Sequence, residues 1–172
     1  LIKLVNDIIN ISRLDEGYVD IEKEDVDLFE MSREISSRLA KQANDKGIKV
    51  ALEGERVICH GIRQILDDMV YNLVENAIKY NKENGKVTIW VGSTLDGVKI
   101  RVTDTGIGIA DEETDRIFER FYRVDKSHSK EIGGTGLGLS IVKHGAMVHG
   151  ASLSVDSKLG EGSVFEIRFP NA

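Results

Sequence analysis

The sequence of 172 residues contains one cysteine and one proline, Cys59 and Pro170, and it has no long apolar run. A single cysteine cannot form a disulfide within the chain, so Cys59, beside the apolar Ile58, is interpreted as a structural thiol in a reducing compartment. A membrane-spanning helix needs about 18 apolar residues in succession, and a secreted chain begins with a basic and then apolar leader. Neither pattern is present, so we expect no part of this fragment to be embedded in a membrane.

Positive charge is also scarce. The 23 Lys and Arg residues are outnumbered by 29 Asp and Glu residues, which gives a net charge of -6. A general nucleic-acid or anionic-membrane binder needs a basic surface, so this balance argues against both classes. Any bound phosphate must therefore meet local positive charge. A chain of this length buries roughly 70% of the surface exposed by its unfolded state, which is enough for a core without disulfides.

Apolar residues recur at helical spacing in several segments. In residues 1–14 they are three and four apart, which predicts a helix that packs on another helix; an amphipathic helix docked on its own domain is the alternative. The residues of this pattern are Leu1, Leu4, Ile8 and Ile11. Further helices are predicted from Phe29 to a stop at Gly47, over Ile62–Tyr80, around Glu112–Phe118 and over Leu137–Val148.

Strands are predicted where short apolar or alternating runs lie between turn signals. These runs are Ile48–Leu52, Val57–Cys59, Lys86–Gly92, Val98–Asp104, Ser152–Ser157 and Ser163–Phe169. A turn at Asp96 and Gly97 predicts a hairpin. Because the elements do not alternate regularly between strand and helix, we predict an α+β fold rather than a doubly wound one. The expected architecture is a two-layer α/β sandwich, with helices on one face of a mixed, mostly antiparallel sheet.

Eight of the 17 glycines lie in three short clusters. One pair of glycines ordinarily marks a tight turn, but three clusters indicate backbone that turns with positive φ or approaches a ligand. Neither the P-loop nor the dinucleotide fingerprint is present, so the expected site is of another kind. The second cluster opens a helix, whose N-terminal N–H groups and dipole can bind phosphate. The clusters are Gly106 and Gly108; Gly133, Gly134, Gly136 and Gly138; and Gly160 and Gly162.

Three polar residues lie along one edge of the predicted helix 62–80. Asn72, Asn76 and Lys79 are four and three residues apart, so they can act on one ligand. An amide oxygen suits Mg²⁺, which keeps several waters and binds through few protein groups and nucleotide phosphates. Lys79 supplies positive charge. At a strand end, the Asp104 carboxylate can accept a hydrogen bond from an amino group such as that of adenine.

Five motifs resemble the N, G1, F, G2 and G3 boxes of sensor histidine kinases, in the order of that family and over nearly the whole chain. They are Asn72–Tyr80, Asp104–Gly108, Phe118–Arg123, Gly134–Ser140 and Gly160–Ser163. The resemblance, to the PhoR-like class, implies the Bergerat ATP-binding fold that gyrase and a heat-shock chaperone share. It also implies ATP and Mg²⁺ as ligands.

The resemblance implies a role for each matching residue. Asp104 would bind the adenine amino group, Asn76 would bind Mg²⁺, and Tyr80 would pack beside the base. Asn72, Lys79 and Arg123 would lie near the phosphates. The other residues expected to bind the nucleotide are Gly106, Gly108, Gly134, Thr135, Gly136, Leu137, Gly138 and Ser163. The polar stretch Val124–Gly134 would be the ATP lid, and its lack of apolar residues predicts that it is mobile.

The same resemblance divides the chain. Residues 1–17 are similar to the end of the second helix of a dimerisation and phosphoacceptor hairpin, and residues 18–172 to the catalytic ATP-binding domain. The family's acceptor is a histidine followed by an acidic residue, Arg or Lys, Thr and Pro, and no histidine here has that sequel. The implied function is transfer of the γ-phosphoryl group to a histidine outside this chain, with a response regulator as the downstream partner. We expect a cytoplasmic fragment of a membrane-anchored sensor.

Two other functions are open at this point. Relatives that hydrolyse ATP use a glutamate one helical turn before the metal-binding asparagine, and here that place is Asn72, whose amide cannot accept a proton. Glu75 is adjacent to Asn76 but lies about 100° away from it around the helix axis, and it is interpreted as a solvated or supporting residue. A module that binds nucleotide without catalysis is expected to lack metal or lid residues, and none of these is missing.

The predicted last helix has two unusual features. Gly145 inside a helix costs about 1 kcal/mol relative to alanine, which points to close packing. His144 and His149 are expected in the helix and at its C-terminal end, where a cation is favourable. His60 is interpreted as a strand or turn residue and His128 as a solvated lid residue, and a zinc site built from these histidines would lack partners.

Overall fold

The computed structural model describes residues 2, 4, 5, 7–9, 22–119 and 137–171. In these ranges the chain forms seven strands and four longer helices. The strands are β1 (Glu24–Asp27), β2 (Lys49–Gly54), β3 (Ile58–Gly61), β4 (Lys86–Thr94), β5 (Gly97–Asp104), β6 (Ser152–Lys158) and β7 (Gly162–Pro170). The helices are α1 (Leu28–Arg38), α2 (Ala40–Asp45), α3 (Arg63–Lys79) and α4 (Gly138–Val148).

Five strands form one mixed sheet in the order β2-β4-β5-β7-β6. β2 pairs with β4 in parallel, and the other three pairs are antiparallel. The predicted α+β sandwich with a mixed, mostly antiparallel sheet is therefore confirmed. The β4–β5 hairpin closes one residue earlier than predicted, because Thr94 pairs with Gly97 and the turn consists of Leu95 and Asp96.

The core lies between the helices and one face of this sheet. Alternate residues of the central strands, such as Ile89 and Ile100, are fully buried, as are Leu66 and Met69 of α3. Burying one such side chain contributes about 1.5–3 kcal/mol. The other face of the sheet carries polar pairs, including Lys99 Nζ and Glu166 Oε1 at 2.7 Å. This division explains why the strands alternate between apolar and polar residues.

The predicted helix from Phe29 to Gly47 is wrong as one element, since α1 ends at Arg38 and α2 begins at Ala40, with Leu39 between them. Ser32, Ser36 and Ser37 each donate a hydrogen bond to the carbonyl of the residue four positions earlier. Such bonds compete with the helix's own ladder and favour bending or termination. Sequence reasoning also missed β1, which pairs with β3 in a separate two-stranded sheet.

The predicted helix at Glu112–Phe118 is also wrong. A single 3-10 turn, Asp111–Glu113, is followed by non-helical turns. The Glu113, Arg116 and Glu119 N–H groups donate to the carbonyl three residues earlier, whereas an α-helix requires the carbonyl four residues earlier. The predicted mobile stretch Val124–Gly134 lies outside the described residues.

The described residues among the first nine are helical. Leu4 packs against the core, whereas Ile8 is 44% exposed. Packing of this segment on a second helix stays a prediction. In the part of the chain that the structure describes, no helix is both long enough and apolar enough to cross a membrane.

Gly145 lies where α4 crosses α3. A Cβ atom at this position would be 2.5 Å from Met69 Cγ and 3.1 Å from Ile65 Cγ2. The close packing predicted from this glycine is confirmed. It brings the first turn of α4 beside the polar edge of α3, which the site requires.

His149, at the C-terminal end of α4, is half-buried, and both nitrogens of its ring bond to backbone groups. Its Nε2 accepts a hydrogen bond from the Ile62 backbone N–H at 3.0 Å, and its Nδ1 bonds to the Gly145 carbonyl oxygen at 2.8 Å. Only the tautomer protonated on Nδ1 makes both bonds. Burial lowers the pKa of His149, with a smaller contribution from Lys23, and the bond to Gly145 partly opposes this shift. The expectation of a favourable cation at this helix end is therefore wrong for His149.

This arrangement predicts a pH-dependent stability. Because the pKa of His149 is lowered by folding, the unfolded state takes up the proton more readily. The stabilisation is complete above the ordinary histidine pKa, about 6.5, and is lost as the pH falls below it. We expect the free energy of unfolding to fall more steeply in the wild type than in His149→Gln as the pH drops from about 8 to about 5. Urea unfolding at a series of pH values measures this, and parallel curves would contradict it.

Candidate functional site

The predicted site residues that the structure describes lie together at one end of the central strands of the sheet. Here α3 ends, β5 ends, β7 begins and α4 begins. Asp104 is paired with Ser163 across β5 and β7, and the Ile107 N–H donates to the Tyr80 carbonyl at 3.0 Å. A Cβ on Gly138 would lie 3.0 Å from Asn72 Oδ1, which places the start of α4 against α3. The remaining predicted residues, Arg123, Gly134, Thr135 and Gly136, lie outside the described residues.

The polar edge of α3 begins with Asn72, which is 6% exposed. Its Nδ2 donates to the Asp68 carbonyl at 2.7 Å, which fixes the amide while its oxygen lies near Gly138. Asn76, one turn later, is half-buried, and its Oδ1 is 3.8 Å from the position that a Cβ on Gly138 would occupy. Two amide oxygens therefore lie beside the first residue of α4.

Glu75 and Lys79 form an ion pair on α3. Lys79 Nζ lies 3.3 Å from Glu75 Oε1, and the two side chains are 13% and 7% exposed. Of the two interpretations of Glu75, the solvated one is wrong, because its carboxylate is buried against the lysine, and the supporting one stays a prediction. Removing one partner of a buried pair leaves an uncompensated charge and costs about 3–5 kcal/mol. The pair holds the Lys79 ammonium group close to the surface of α3.

Asp104 is the last residue of β5 and is half-buried. The Gly106 N–H donates to Asp104 Oδ1 at 2.8 Å. Burial raises the pKa of the Asp104 carboxyl above its ordinary value, and backbone N–H bonds from Gly106 and Ser163 oppose that shift. A carboxylate held by backbone groups in a partly dry position is a strong and directed hydrogen-bond acceptor.

The glycines around Asp104 are required by contacts with protein backbone. A Cβ on Gly106 would be 2.3 Å from the Tyr80 carbonyl oxygen, and one on Gly108, which has φ +71°, would be 2.1 Å from the Lys158 carbonyl oxygen. Gly162, with φ +122°, comes equally close to the Asp104 carbonyl. The first and third glycine clusters thus join three chain segments into one rigid corner.

Ser163 and Leu137 complete the described site. Ser163 is buried, and its Oγ lies 2.7 Å from Ser157 Oγ, which also accepts the Ile109 N–H at 2.8 Å. The Leu137 side chain is fully buried in the core, so a ligand contact at this residue would involve its backbone. Sequence reasoning missed Ser157, because one serine in an alternating strand carries no distinguishing signal.

Asn81 was also missed, although it directly follows the predicted motif. It is 4% exposed, and its side chain bonds to Lys86, Lys82 and Thr105. A polar residue after a helix is usually a solvated cap, so its burial could not be foreseen from sequence. The structure brings it against Thr105, the residue after Asp104.

Comparison with known proteins identifies the family of this chain. A family model described as "Histidine kinase-, DNA gyrase B-, and HSP90-like ATPase" matches residues 61–172. Three relatives illustrate the likeness. The chain is 39% identical to the sensor-like histidine kinase SenX3 of Mycolicibacterium smegmatis, over 99% of this chain and 44% of that protein. It is 34% identical to the sensor histidine kinase WalK of Bacillus subtilis, over 99% of this chain and 28% of that protein.

Among solved structures, full-length ShkA in complex with AMPPNP is similar with a TM-score of 0.83 and 29% identity, over 99% of this chain and 36% of that one. The chain therefore belongs to the histidine kinase-, gyrase B- and HSP90-like ATPase family. Within that family, it is an ATP-binding domain of the sensor histidine kinase type. The chain spans less than half the length of the two curated relatives.

The close approach of Gly106 to Tyr80 predicts a sharp response to one added methyl group. In Gly106→Ala the Cβ would overlap the Tyr80 carbonyl, so the Asp104 loop must move. We expect destabilisation by about 1–3 kcal/mol, as for other overpacked sites, and loss of most ATP binding. Thermal unfolding and titration with ATP measure both effects.

Gly150→Ala is the control, because it adds the same methyl group where a Cβ would meet nothing within 4 Å, and its φ is +63°. It should cost about 1–2 kcal/mol of backbone strain and leave ATP affinity unchanged. Unchanged ATP affinity in Gly106→Ala would contradict the role given to this loop.

Proposed function

We propose that this domain binds Mg²⁺-ATP and transfers the γ-phosphoryl group to a histidine of a dimerisation and phosphoacceptor hairpin in the protein to which it belongs. The observation that carries the proposal is the meeting of three groups at one sheet edge: the Asp104 carboxylate, the two amides of α3 and the start of α4. Membership of the ATPase family supports ATP as the ligand.

The adenine base is assigned to the side of the site that Asp104 forms. The Asp104 carboxylate accepts a hydrogen bond from the exocyclic amino group of the base. The hydrogen bond that the Gly106 N–H donates to this carboxylate keeps the carboxylate oriented. Tyr80, half-buried at the end of α3, lies beside the same loop and packs against the base. Gly108 and Ser163 hold the loop and the start of β7 around Tyr80 and the base.

The phosphates are assigned to the start of α4. The first N–H groups of a helix have no partner within the helix and lie at the positive end of its dipole, so they favour phosphate. Leu137 and Gly138 supply such groups here, with Gly134, Thr135 and Gly136 before them in the sequence. Lys79, which is paired with Glu75 at 3.3 Å, and Arg123 are assigned as the positively charged side chains near the phosphates.

Asn76 fits a magnesium ligand. Its amide oxygen is a neutral, hard ligand. The residue is half-buried, and its oxygen lies near Gly138, which leaves space because it has no Cβ. Mg²⁺ commonly binds through one or two protein oxygens, waters and substrate phosphates, so a single amide is sufficient. Bound there with ATP, the ion would neutralise charge on the phosphates. Asn72, fixed by Asp68, keeps the neighbouring amide in place.

The residues around Asn76 favour transfer to a histidine over attack by water. Phosphoryl transfer depends mainly on positioning and charge neutralisation. Asn72 occupies the place of a general base but cannot accept a proton, and Glu75 is buried in its pair with Lys79. A neutral imidazole is already nucleophilic and needs no base, whereas water does. The γ-phosphorus–oxygen bond to ADP breaks as the bond to the imidazole nitrogen forms.

The wider setting is proposed from the resemblance of the sequence to sensor histidine kinases. Residues 1–17 are assigned to the end of the second hairpin helix, and residues 18–172 to the catalytic domain. The phosphohistidine then serves as donor to a response regulator. The domain acts on the cytoplasmic side of a membrane-anchored sensor.

Removing the proposed metal ligand should weaken metal-dependent ATP binding more than metal-free ATP binding. In Asn76→Ala we expect affinity for ATP with Mg²⁺ to fall at least about tenfold, or about 1.4 kcal/mol. Affinity in the presence of a chelator should change little, because Asp104 and the start of α4 are intact. Calorimetric titration with and without Mg²⁺ measures this. Equal losses in both conditions would indicate a folding defect and remove Asn76 as the ligand.

Incubation with γ-labelled ATP tests the function itself. The chain alone should remain unlabelled, whereas a separately supplied hairpin with the acceptor histidine should acquire label that acid removes, since phosphohistidine is acid-labile. A hairpin with that histidine replaced by glutamine is the control. Acid-stable label on the chain, or rapid ATP hydrolysis without an acceptor, would overturn the histidine kinase proposal.

A further inference from the structure

Asn81 is a buried amide whose hydrogen bonds connect three parts of the chain. It follows α3 directly and is 4% exposed. Its Nδ2 donates to the Lys86 carbonyl at 3.0 Å, and its Oδ1 accepts the Lys82 N–H at 2.9 Å. The same Oδ1 accepts the Thr105 hydroxyl at 3.0 Å. The end of α3, the start of β4 and the loop after β5 are thereby joined at one side chain.

Thr105 holds the other side of Lys86. Its Oγ1 accepts the Lys86 N–H at 2.9 Å, and its own N–H donates to the Lys86 carbonyl at 3.2 Å. The polar groups of the first β4 residue are therefore bound from both sides by Asn81 and Thr105, which we name the Asn81–Thr105 clamp.

The clamp leaves little room for another arrangement. A Cβ on Gly85 would be 2.2 Å from Asn81 Oδ1, and a Cβ on Gly106 would be 3.0 Å from Asn81 Cα. Thr105 lies between Asp104 and Gly106, which bonds to the Asp104 carboxylate. Tyr80 precedes Asn81 and accepts the Ile107 N–H. Each clamp residue is thus the chain neighbour of a residue assigned to the base.

We infer that the Asn81–Thr105 clamp positions Asp104 relative to Tyr80 and so sets the selectivity of the site for adenine over other purine bases. This inference rests on the proposed function. Asn81 and Thr105 are positioning residues, which act through Asp104. A hydrogen bond weakens steeply when its angle or length departs from the optimum, so a small displacement of this carboxylate reduces recognition of the amino group.

Inosine triphosphate is the informative probe, because it carries a carbonyl oxygen where ATP has the amino group. A well-placed Asp104 carboxylate accepts from the amino group and repels that oxygen. A displaced carboxylate attracts the amino group less and repels the carbonyl oxygen less. The ratio of the affinity for ATP to the affinity for inosine triphosphate therefore falls. A merely structural role for the clamp would weaken both nucleotides in the same proportion and leave the ratio unchanged.

The variants are Asn81→Ala, Thr105→Val and Thr105→Ser. Thr105→Val keeps the shape and removes the hydroxyl group, whereas Thr105→Ser keeps the hydroxyl group. Ser32→Ala is the control, because it also removes a hydrogen-bonded hydroxyl, one that donates to the Leu28 carbonyl at 2.8 Å, but in α1. Affinities for ATP and inosine triphosphate are measured by calorimetry, with circular dichroism as the test of folding.

We expect the wild type to prefer ATP, and Asn81→Ala and Thr105→Val each to reduce that preference about tenfold, as for other residues that orient a site. The double variant should lose no more than either single variant, since the two act as one unit. Thr105→Ser and Ser32→Ala should keep the wild-type ratio.

An unchanged ratio in Thr105→Val, or an equal loss in Thr105→Val and Thr105→Ser, overturns the inference while leaving the proposed function intact. Failure of the wild type to bind ATP overturns the proposed function instead. If Asn81→Ala does not fold, the Thr105→Val and Thr105→Ser pair still decides the question.

Discussion

The site depends on the contact between the end of α3 and the loop after β5. Gly106 lies so close to the Tyr80 carbonyl that no side chain fits between them. The Ile107 N–H bonds to the same carbonyl. Because β5 is central in the sheet, this contact fixes the polar edge of α3 relative to the whole sheet. This contact consequently holds Asp104, at the end of β5, in a fixed position relative to the polar edge of α3.

A second close contact fixes the other end of the site. Gly145 allows α4 to pack directly on α3, and His149 ties the end of α4 to Ile62 just before α3 begins. The start of α4 therefore lies beside Asn72 and Asn76. Fixed donors and charges stabilise a transferring phosphoryl group without reorganisation, so under the proposed function this packing would support the chemistry.

Sequence patterns predicted α3, α4 and the hairpin strands to within two residues, because each has a strong period and clear turn signals. They did not predict β1, which is only four residues long, nor the division at Leu39, which follows three serines that bond to backbone carbonyls of α1. The motifs located Asp104 and Asn76, but the burial of Glu75 and Asn81 depends on tertiary contacts. Residues that support a site from behind carry no local signal.

The central claim is that one nucleotide bridges Asp104 and Asn76. A crystal structure of the domain with Mg²⁺ and a non-hydrolysable ATP analogue tests it most directly. The account predicts the adenine amino nitrogen at about 3 Å from an Asp104 carboxylate oxygen and Asn76 Oδ1 at about 2.1 Å from the metal ion. A nucleotide bound elsewhere, for example in the groove that Phe29 and Ala40 form with Val50 of β2, would contradict it.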